Sequence, residues 1–312
     1  MDKRAKKVLV TGGAGFIGSH IVDELLKKNY EVAVIDNLST GKRAHLPDDI
    51  SFHQIDIIDI DHVENVFSKE QPDILIHLAA QISVTDSIKA PYNDGNINIL
   101  ATINLLECSK KYRVNKIVFA SSAAVYGYSE SLPILESAAL NPLSFYGLSK
   151  MCAEEYIRLY SELYSLSYTI LRFSNVYGER QNSQGEAGVI SIFINQALNK
   201  EPATIFGDGK QTRDFIYVKD VVAANVAAIE NSLSGTFNIS SNSRTAVNEV
   251  LSTIEMVTNT EMRRVKQPAR KGEILNSQLS NKKALLLLNW KPKYTLVKGL
   301  KEMLKNENNR KA

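Results

Sequence analysis

Short apolar runs alternate along the chain with longer stretches whose apolar residues recur every three or four positions. Val8 to Val10, Glu31 to Asp36, Ile50 to Ile55, Asp73 to Ala80, Lys116 to Ser122 and Tyr168 to Ser174 read as strands buried on both faces. Between them, Ile17, Ile21, Val22, Leu25 and Leu26 mark one helical face, and Ile99, Ile103, Leu105 and Leu106 another within Asn98 to Tyr112. An acidic helix-like segment begins near Asp61, and a further helix follows the entrance at Pro142. This βα alternation predicts an α/β fold, a doubly wound parallel sheet with helices on both faces and ligands at the carboxyl ends of its strands.

Later in the chain, Val189 to Leu198 reads as a helix and Ala203 to Gly209 as a short strand with a turn. Arg213 to Asp220 and the Ala-rich helix after it are expected to return to the first domain. Gly235 to Ile239, a helix over Val247 to Val257 and the basic stretch Arg263 to Lys271 look like a smaller lid. The expected division is a nucleotide-binding domain over 1–174, rejoined by about 214–232, and a smaller α/β substrate domain over 175–213 and 233–312.

The first strand runs into Thr11-Gly-Gly-Ala-Gly-Phe-Ile-Gly18, where Gly12, Gly15 and Gly18 recur at intervals of three. Such a turn can simply pack a helix on a strand, or it can admit a pyrophosphate to the unpaired N–H groups of the helix start. The second reading gains from Asp36, which closes the next strand 21 residues beyond Gly15. A Rossmann-type fold places there the acid that accepts hydrogen bonds from the adenosine ribose. Its negative charge favours NAD over NADP, with Lys42 and Arg43 nearby on the other side of the balance. Asn37-Leu-Ser39-Thr40-Gly41 is turn chemistry. Asp56 and Ile57 either bracket the adenine, or Asp56 caps the next helix. The small tail Leu78-Ala79-Ala80 leaves room for a flat cofactor. His77, alone in an apolar strand, reads as a hydrogen-bonded core residue.

Composition narrows the classes. Hydrophobic content of 44% and charged content of 23% suit a globular chain, and a net charge of +3 gives no basis for a nucleic-acid or membrane surface. No run approaches transmembrane length, and strand-forming residues begin at Val8 with no room for a secretory signal before them. Cys108 and Cys152 are too few for a disulfide framework and are expected to be buried free thiols in a reducing cytoplasm. No metal is expected.

Tyr146 and Lys150 stand four apart, on one helical face, and 24 residues after Ser122 at the end of a strand. A phenol titrating near 10 becomes a base at neutral pH only if its pKa falls to about 7, roughly 4 kcal/mol of phenolate stabilisation. A nearby ammonium and a positive nicotinamide ring can supply it together, and Ser122 can hydrogen-bond the reacting hydroxyl. A Tyr-x-x-x-Lys pair alone is commonplace on exposed helices. Here it follows a nucleotide fold at the expected distance. Tyr126, Tyr128, Tyr156, Tyr160 and Tyr164 have no such lysine and read as packing or interface residues.

These motifs, with Asp36-Asn-Leu-Ser-Thr-Gly41, His77-Leu-Ala-Ala80, Ser121-Ser-Ala-Ala-Val-Tyr-Gly127, Tyr146-Gly-Leu-Ser-Lys150 and Phe206-Gly-Asp-Gly-Lys-Gln-Thr-Arg-Asp214, resemble the extended short-chain dehydrogenase/reductase superfamily. Within it the chain is most similar, from Val8 to about Leu304, to nucleotide-sugar 4-epimerases of the UDP-glucose/UDP-galactose group. The resemblance implies an isomerase that oxidises C4 of a UDP-hexose with tightly held NAD and returns the hydride to the other face of a 4-keto sugar. It implies that Tyr146 moves the proton, Lys150 grips the nicotinamide ribose and Ser122 aligns the hydroxyl. Gly12, Gly15, Phe16, Ile17, Gly18, Asp36, Asn37, Ser39, Thr40, Gly41, Asp56, Ile57, Leu78, Ala79, Ala80, Asn98, Ser121, Tyr146, Lys150 and Phe173 would line the cofactor. For the UDP-sugar it points to Asn175, Val189, Phe206 against uracil, Arg213 and Arg270 on the diphosphate, and Glu273, where most relatives have Asp. Arg270 also lies in a basic stretch where a solvated charge is common. Ser277 aligns with a pocket residue that is small in enzymes admitting a 2-acetamido group, so tolerance of UDP-GlcNAc and UDP-GalNAc is expected.

A 4,6-dehydratase shares the fold, but that family carries Asp-Glu where this chain has Ala123 and Ala124. A UDP-glucuronate 4-epimerase would be expected to carry a further basic residue in 181–188, and a non-catalytic NAD-binding scaffold to have lost the Tyr-Lys pair. A homodimer is expected through the helices around Asn98 to Tyr112 and Tyr146 to Tyr164.

Overall fold

The computed structural model describes residues 6–182, 188–269 and 274–311. Six strands, β1 (Lys7–Thr11), β2 (Glu31–Ile35), β3 (Ser51–His53), β4 (Ile74–His77), β5 (Lys116–Ser122) and β6 (Ser167–Phe173), pair in parallel in the order β3-β2-β1-β4-β5-β6. Their apolar runs are uninterrupted because both faces are covered; Val8, Leu9 and Val10 in β1 are fully buried. The order reverses between β1 and β4, and the two connections leave opposite faces there. That opens a crevice at the carboxyl ends of the strands.

On one face, α1 (Phe16–Lys27) buries Ile21, Val22 and Leu25 against the sheet. The other face is covered by α2 (Ile60–Glu70), with Phe67 in its core. Next come two short helices, α3 (Val84–Lys89) and α4 (Pro91–Gly95), and a π-helical turn over Asn96–Leu100. They lead into α5 (Ala101–Lys111), which places Leu105 and Leu106 beside Phe67. The long α6 (Phe145–Tyr164) completes this layer with Ala153 and Ile157. Its N-cap is Ser144, which accepts from the Gly147 N–H, rather than the Pro142 end of the predicted entrance. Cys108 is buried as expected; Cys152 is only half-buried, because it falls beside the core-facing stripe of Lys150, Ala153 and Glu154.

Beyond β6 the chain builds a second lobe. Here β7 (Asn175–Tyr177), α7 (Val189–Leu198), β8 (Ala203–Phe206), β9 (Thr212–Arg213) and β10 (Phe215–Tyr217) follow in sequence, and β10 pairs in parallel with β7. The next helix, α8 (Val218–Glu230), packs back on α1. After it, β11 (Gly235–Ile239) is the seventh strand of the large sheet, in register with β6 from Gly235 opposite Thr169 to Ile239 opposite Phe173. This corrects the assignment of Gly235 to Ile239 to the lid. The edge of β6 needs a hydrogen-bonding partner, and Phe237 and Ile239 complete the core on the α1 side. The lobe continues with β12 (Thr245–Ala246), antiparallel to β9, α9 (Val247–Thr258) and β13 (Arg264–Gln267), parallel to β8. Then α10 (Lys282–Leu287) returns to β11, where Ala284 joins the core of the large sheet, again unlike the expected division, and α11 (Leu296–Lys311) closes the second lobe. Its core holds Phe193, Ile194, Val250, Leu251 and Leu300. Among the described residues no helix is long and apolar enough to cross a membrane.

Candidate active site

The glycine turn is shaped by close contacts. A Cβ at Gly18 would lie 2.1 Å from the Gly12 carbonyl oxygen, so only glycine lets the first turn of α1 fold against the loop. Gly15 caps the helix without a side-chain hydrogen bond, and the first turn holds no acidic residue. The Gly15 N–H turns back to the Gly12 carbonyl at 3.2 Å, and the N–H groups that follow at this uncapped helix start suit a pyrophosphate. Phe16 and Ile17 are half-buried at its mouth.

Asp36 is buried at the end of β2. One oxygen accepts from the Ala14 N–H at 2.9 Å and the other from the Leu38 N–H at 2.8 Å, which fixes the carboxylate between the glycine turn and the loop over 37–41. Each oxygen keeps a lone pair for a ribose hydroxyl. Asn37, Ser39 and Thr40 are exposed along this loop, and Gly41 approaches the Asp36 carboxylate. Asp56 accepts from Asn37 Nδ2 at 2.9 Å and from the Ile58 N–H at 3.0 Å. It does not cap α2. That role falls to Asp59, which accepts from the His62 N–H. Ile57 is buried beneath it.

Leu78 and Ala79 both donate their N–H groups to the Thr11 carbonyl, so the Leu78–Ala80 tail lies directly against the glycine turn. His77 is clamped between Thr11 (Nδ1 to Oγ1, 2.8 Å) and Thr102 (Nε2 to Oγ1, 3.0 Å). Burial brings its pKa down to about 3, so it is a neutral structural residue, as its position implied. Asn98 is 2% exposed and spends its amide on Gln81, Asp94 and Ser149, bracing the loop after β4. Phe173, at the end of β6, is buried in the sheet core.

Ser122, Tyr146 and Lys150 come together at the carboxyl edge of β5. The Ser122 hydroxyl accepts from the Ala124 N–H at 3.2 Å and stands near enough to the Tyr146 phenol to draw its pKa down. Gly147 makes the meeting possible: a Cβ there would stand 2.5 Å from the Ala124 carbonyl oxygen, holding α6 off the turn after β5. Lys150 is 3% exposed; its ammonium donates to the Ala120 carbonyl at 2.9 Å and lies 4.8 Å from the centre of the Phe119 ring. Burial lowers Lys150 to about 8, with Asp94 and Glu154 opposing the fall.

Burial pushes Tyr146 above the ordinary tyrosine value; Ser122 pulls it down and the Asp94 charge adds to the rise. The ammonium donates to a backbone carbonyl, and the protein by itself leaves this phenol above its ordinary value.

Ser121 donates to Glu154 Oε1 at 2.5 Å, so its hydroxyl faces inward, away from the crevice. Glu154 is fully buried and also binds Arg172, whose Nε and Nη2 lie 2.9 and 2.6 Å from its two oxygens. Arg172 in turn donates to the Tyr126 hydroxyl, which donates to Asn238 at 2.7 Å. This network locks β5, β6, β11 and the 123–127 loop together. Sequence reading missed it: Glu154 and Arg172 lie 18 residues apart in unrelated elements, and nothing local pairs them.

The second lobe faces this edge with the remaining residues. Asn175 is exposed at the start of β7, opposite Phe215, and Val189 is half-buried at the start of α7. Phe206 ends β8 opposite Gln267. Arg213 sits in β9, with Nη1 donating to the Thr212 carbonyl, and the Ser277 N–H donates to the same carbonyl at 3.2 Å. Arg270 and Glu273 lie outside the described residues. Asp214, quoted only as the end of a motif, is the hub here. Fully buried, it accepts from Ser241, Leu279 and Ser174, and burial raises its carboxyl to about 6 against those hydrogen bonds.

A doubly wound sheet whose crevice joins a glycine turn, a ribose-facing acid and a Ser-Tyr-Lys cluster defines a dinucleotide-dependent enzyme that moves a proton and a hydride at one carbon. The chain belongs to the NAD dependent epimerase/dehydratase family, whose model matches residues 8–240. It is 48% identical over 305 residues to a Methanocaldococcus jannaschii protein provisionally named UDP-glucose 4-epimerase, covering 96% of this chain and 99% of that one. The crystal structure of Thermotoga maritima UDP-glucose 4-epimerase with UDP-glucose matches with a TM-score of 0.95 at 40% identity, covering 98% of this chain and 100% of that one. The Thermus thermophilus UDP-glucose 4-epimerase complex with NAD matches with a TM-score of 0.91 at 39% identity, covering 97% and 99%. NAD is the cofactor, and the uncapped start of α1 and the fixed Asp36 carboxylate fit it.

Proposed function

We propose that the protein inverts C4 of UDP-hexoses, interconverting UDP-glucose and UDP-galactose through a 4-keto sugar. The observation that carries this is the meeting of Ser122 at the end of β5 with Tyr146 and the buried Lys150 on α6, at the crevice of the sheet. Tyr146 takes the C4 hydroxyl proton and later returns it, Ser122 aligns that hydroxyl, and Lys150 holds the nicotinamide ribose. When bound, NAD⁺ would supply the hydride exchange and a positive ring whose charge favours the phenolate. Gly12, Gly15, Gly18, Asp36 and the 37–41 loop hold the adenosine half. Ala123 and Ala124 leave no acid-base pair for dehydration across C5 and C6.

On the other side of the crevice, Arg213 binds the diphosphate through its planar fork, Phe206 stacks on uracil, and Asn175 and Val189 complete the wall. Ser277 leaves room for a 2-acetamido group. The large sheet with α8 thus holds the cofactor and the second lobe holds the UDP-sugar. Exposed Leu100, Leu148, Tyr156, Leu159 and Leu163, on the π-turn and α6, support a homodimer across these helices. Free Cys108 and Cys152 fit a cytoplasmic enzyme.

The test is incubation of the purified protein with UDP-Glc, UDP-Gal, UDP-GlcNAc and UDP-GalNAc without added NAD, with product identification. Turnover of all four is expected; none with the acetamido pair would reject the role of Ser277. Tyr146→Phe is expected to lose about 10²–10⁴-fold in kcat, and wild-type rates in that variant would overturn the assignment. Light scattering is expected to give twice the chain mass.

A further inference from the structure

Asp94 has no part in the roles assigned so far, yet it lies at the reactive helix. In α4 it is 1% exposed, and only one of its oxygens is satisfied. Oδ1 accepts from Gln81 Nε2 at 2.9 Å and from Asn98 Nδ2 at 3.2 Å, while Oδ2 is buried with no hydrogen-bond partner. A buried carboxylate left so half-served costs free energy unless a cation faces it. The cluster leads directly to the site. Asn98 Nδ2 also donates to Ser149 Oγ at 3.0 Å, and Ser149 Oγ donates to the Tyr146 carbonyl at 3.0 Å. Lys150 is the next residue.

The charges that act on that ammonium come from several elements. Tyr146 and Glu154 share its helix, His77 in β4 is a neutral ring, and Asp94 reaches the helix from α4 through Asn98 and Ser149. Its charge acts on Lys150 across a gap rather than through an ion pair; burial raises Asp94 itself and Lys150 pulls it back down. Glu154 is already committed to Arg172 and Arg158, whose Nη2 atoms each lie 2.6 Å from its Oε2. Among the described residues that leaves Asp94 as the uncommitted carboxylate acting on the lysine. We propose that Asp94 is a positioning residue, the buried counter-charge that keeps Lys150 an ammonium beside Tyr146. Burial lowers Lys150, and Asp94 is the largest influence opposing that fall. The same negative charge disfavours the Tyr146 phenolate, so removing it moves both groups toward lower pH.

This rests on the proposed roles of Tyr146 and Lys150, and the experiment separates the two. Asp94→Asn removes the charge while keeping an acceptor for Gln81 and Asn98. In protein labelled with 13C at lysine Cε, the Lys150 resonance of D94N is expected to titrate at least half a pH unit or so below wild type. In the holoenzyme both limbs of the kcat profile are expected to shift acidward together. Asp94→Glu, which keeps the charge, is expected to restore much of the wild-type profile. An unchanged Lys150 midpoint, or a uniform loss of rate with unmoved limbs, overturns the proposal. Full activity in Tyr146→Phe overturns the underlying reading instead. If D94N does not fold, Asp94→Ser carries the same two outcomes.

Discussion

Glu70 shows at a single residue how a buried charge can stabilise this fold. Its side chain is 4% exposed, and Lys7 Nζ, His53 Nε2 and Ser51 Oγ lie 2.8, 2.8 and 2.9 Å from its oxygens, tying α2 to β1 and β3. Burial by itself would raise the carboxyl; the hydrogen bonds from Lys7, His53 and Ser51 override it and hold the group at about 2 against an ordinary 4.5. The folded value lies below the unfolded one, so the contribution is whole above pH 4.5 and is lost as pH falls toward 2. Glu70→Gln is expected to cost about 1–3 kcal/mol at pH 7. Denaturant melts of both proteins at pH 7 and below pH 3 check this, since the gap must narrow in acid. Single residues with a local signature were legible beforehand: Asp36 by its distance from the glycine turn, Tyr146 and Lys150 by their spacing. Asp94, Glu154 and Asp214 were not, because their meaning lies in partners that only the folded chain supplies.

Among elements, α6 carries the greatest demand, since its first turn must lie close enough to the loop after β5 for Tyr146 to reach Ser122. Gly147 sets that distance. Gly147→Ala would place a methyl 2.5 Å from the Ala124 carbonyl oxygen and 3.0 Å from Pro142 Cβ. A displacement of about an ångström in a reacting group can cost on the order of 10²-fold in rate. The variant is therefore expected to keep its fold and its UDP-sugar affinity while kcat drops to that degree, which paired calorimetry and rate measurements will separate. The strands and long helices were readable because each declares itself over consecutive residues; α7 begins and ends at the predicted Val189 and Leu198. The partner of Gly235–Ile239 was not, because five residues of strand pattern say nothing about which sheet receives them.

For the whole molecule, the chain crosses between its two lobes repeatedly: outward after β6, back at α8, outward after β11, back at α10 and outward last at α11. The crevice is bounded by segments from both, and Asp214 pins the end of β6 to the 241 and 279 segments of the second lobe. The family match over residues 8–240 closes one residue after β11.

That late strand bears on how the polypeptide can be cut. A gene truncated after codon 174 would encode every strand of the large sheet except the outermost, leaving a raw row of amide and carbonyl groups along Ser167–Phe173. Such a fragment is expected to precipitate or form soluble aggregates on gel filtration instead of behaving as a free-standing nucleotide binder. During synthesis, too, the amino-terminal half must wait for residues made some sixty positions later before its margin is sealed.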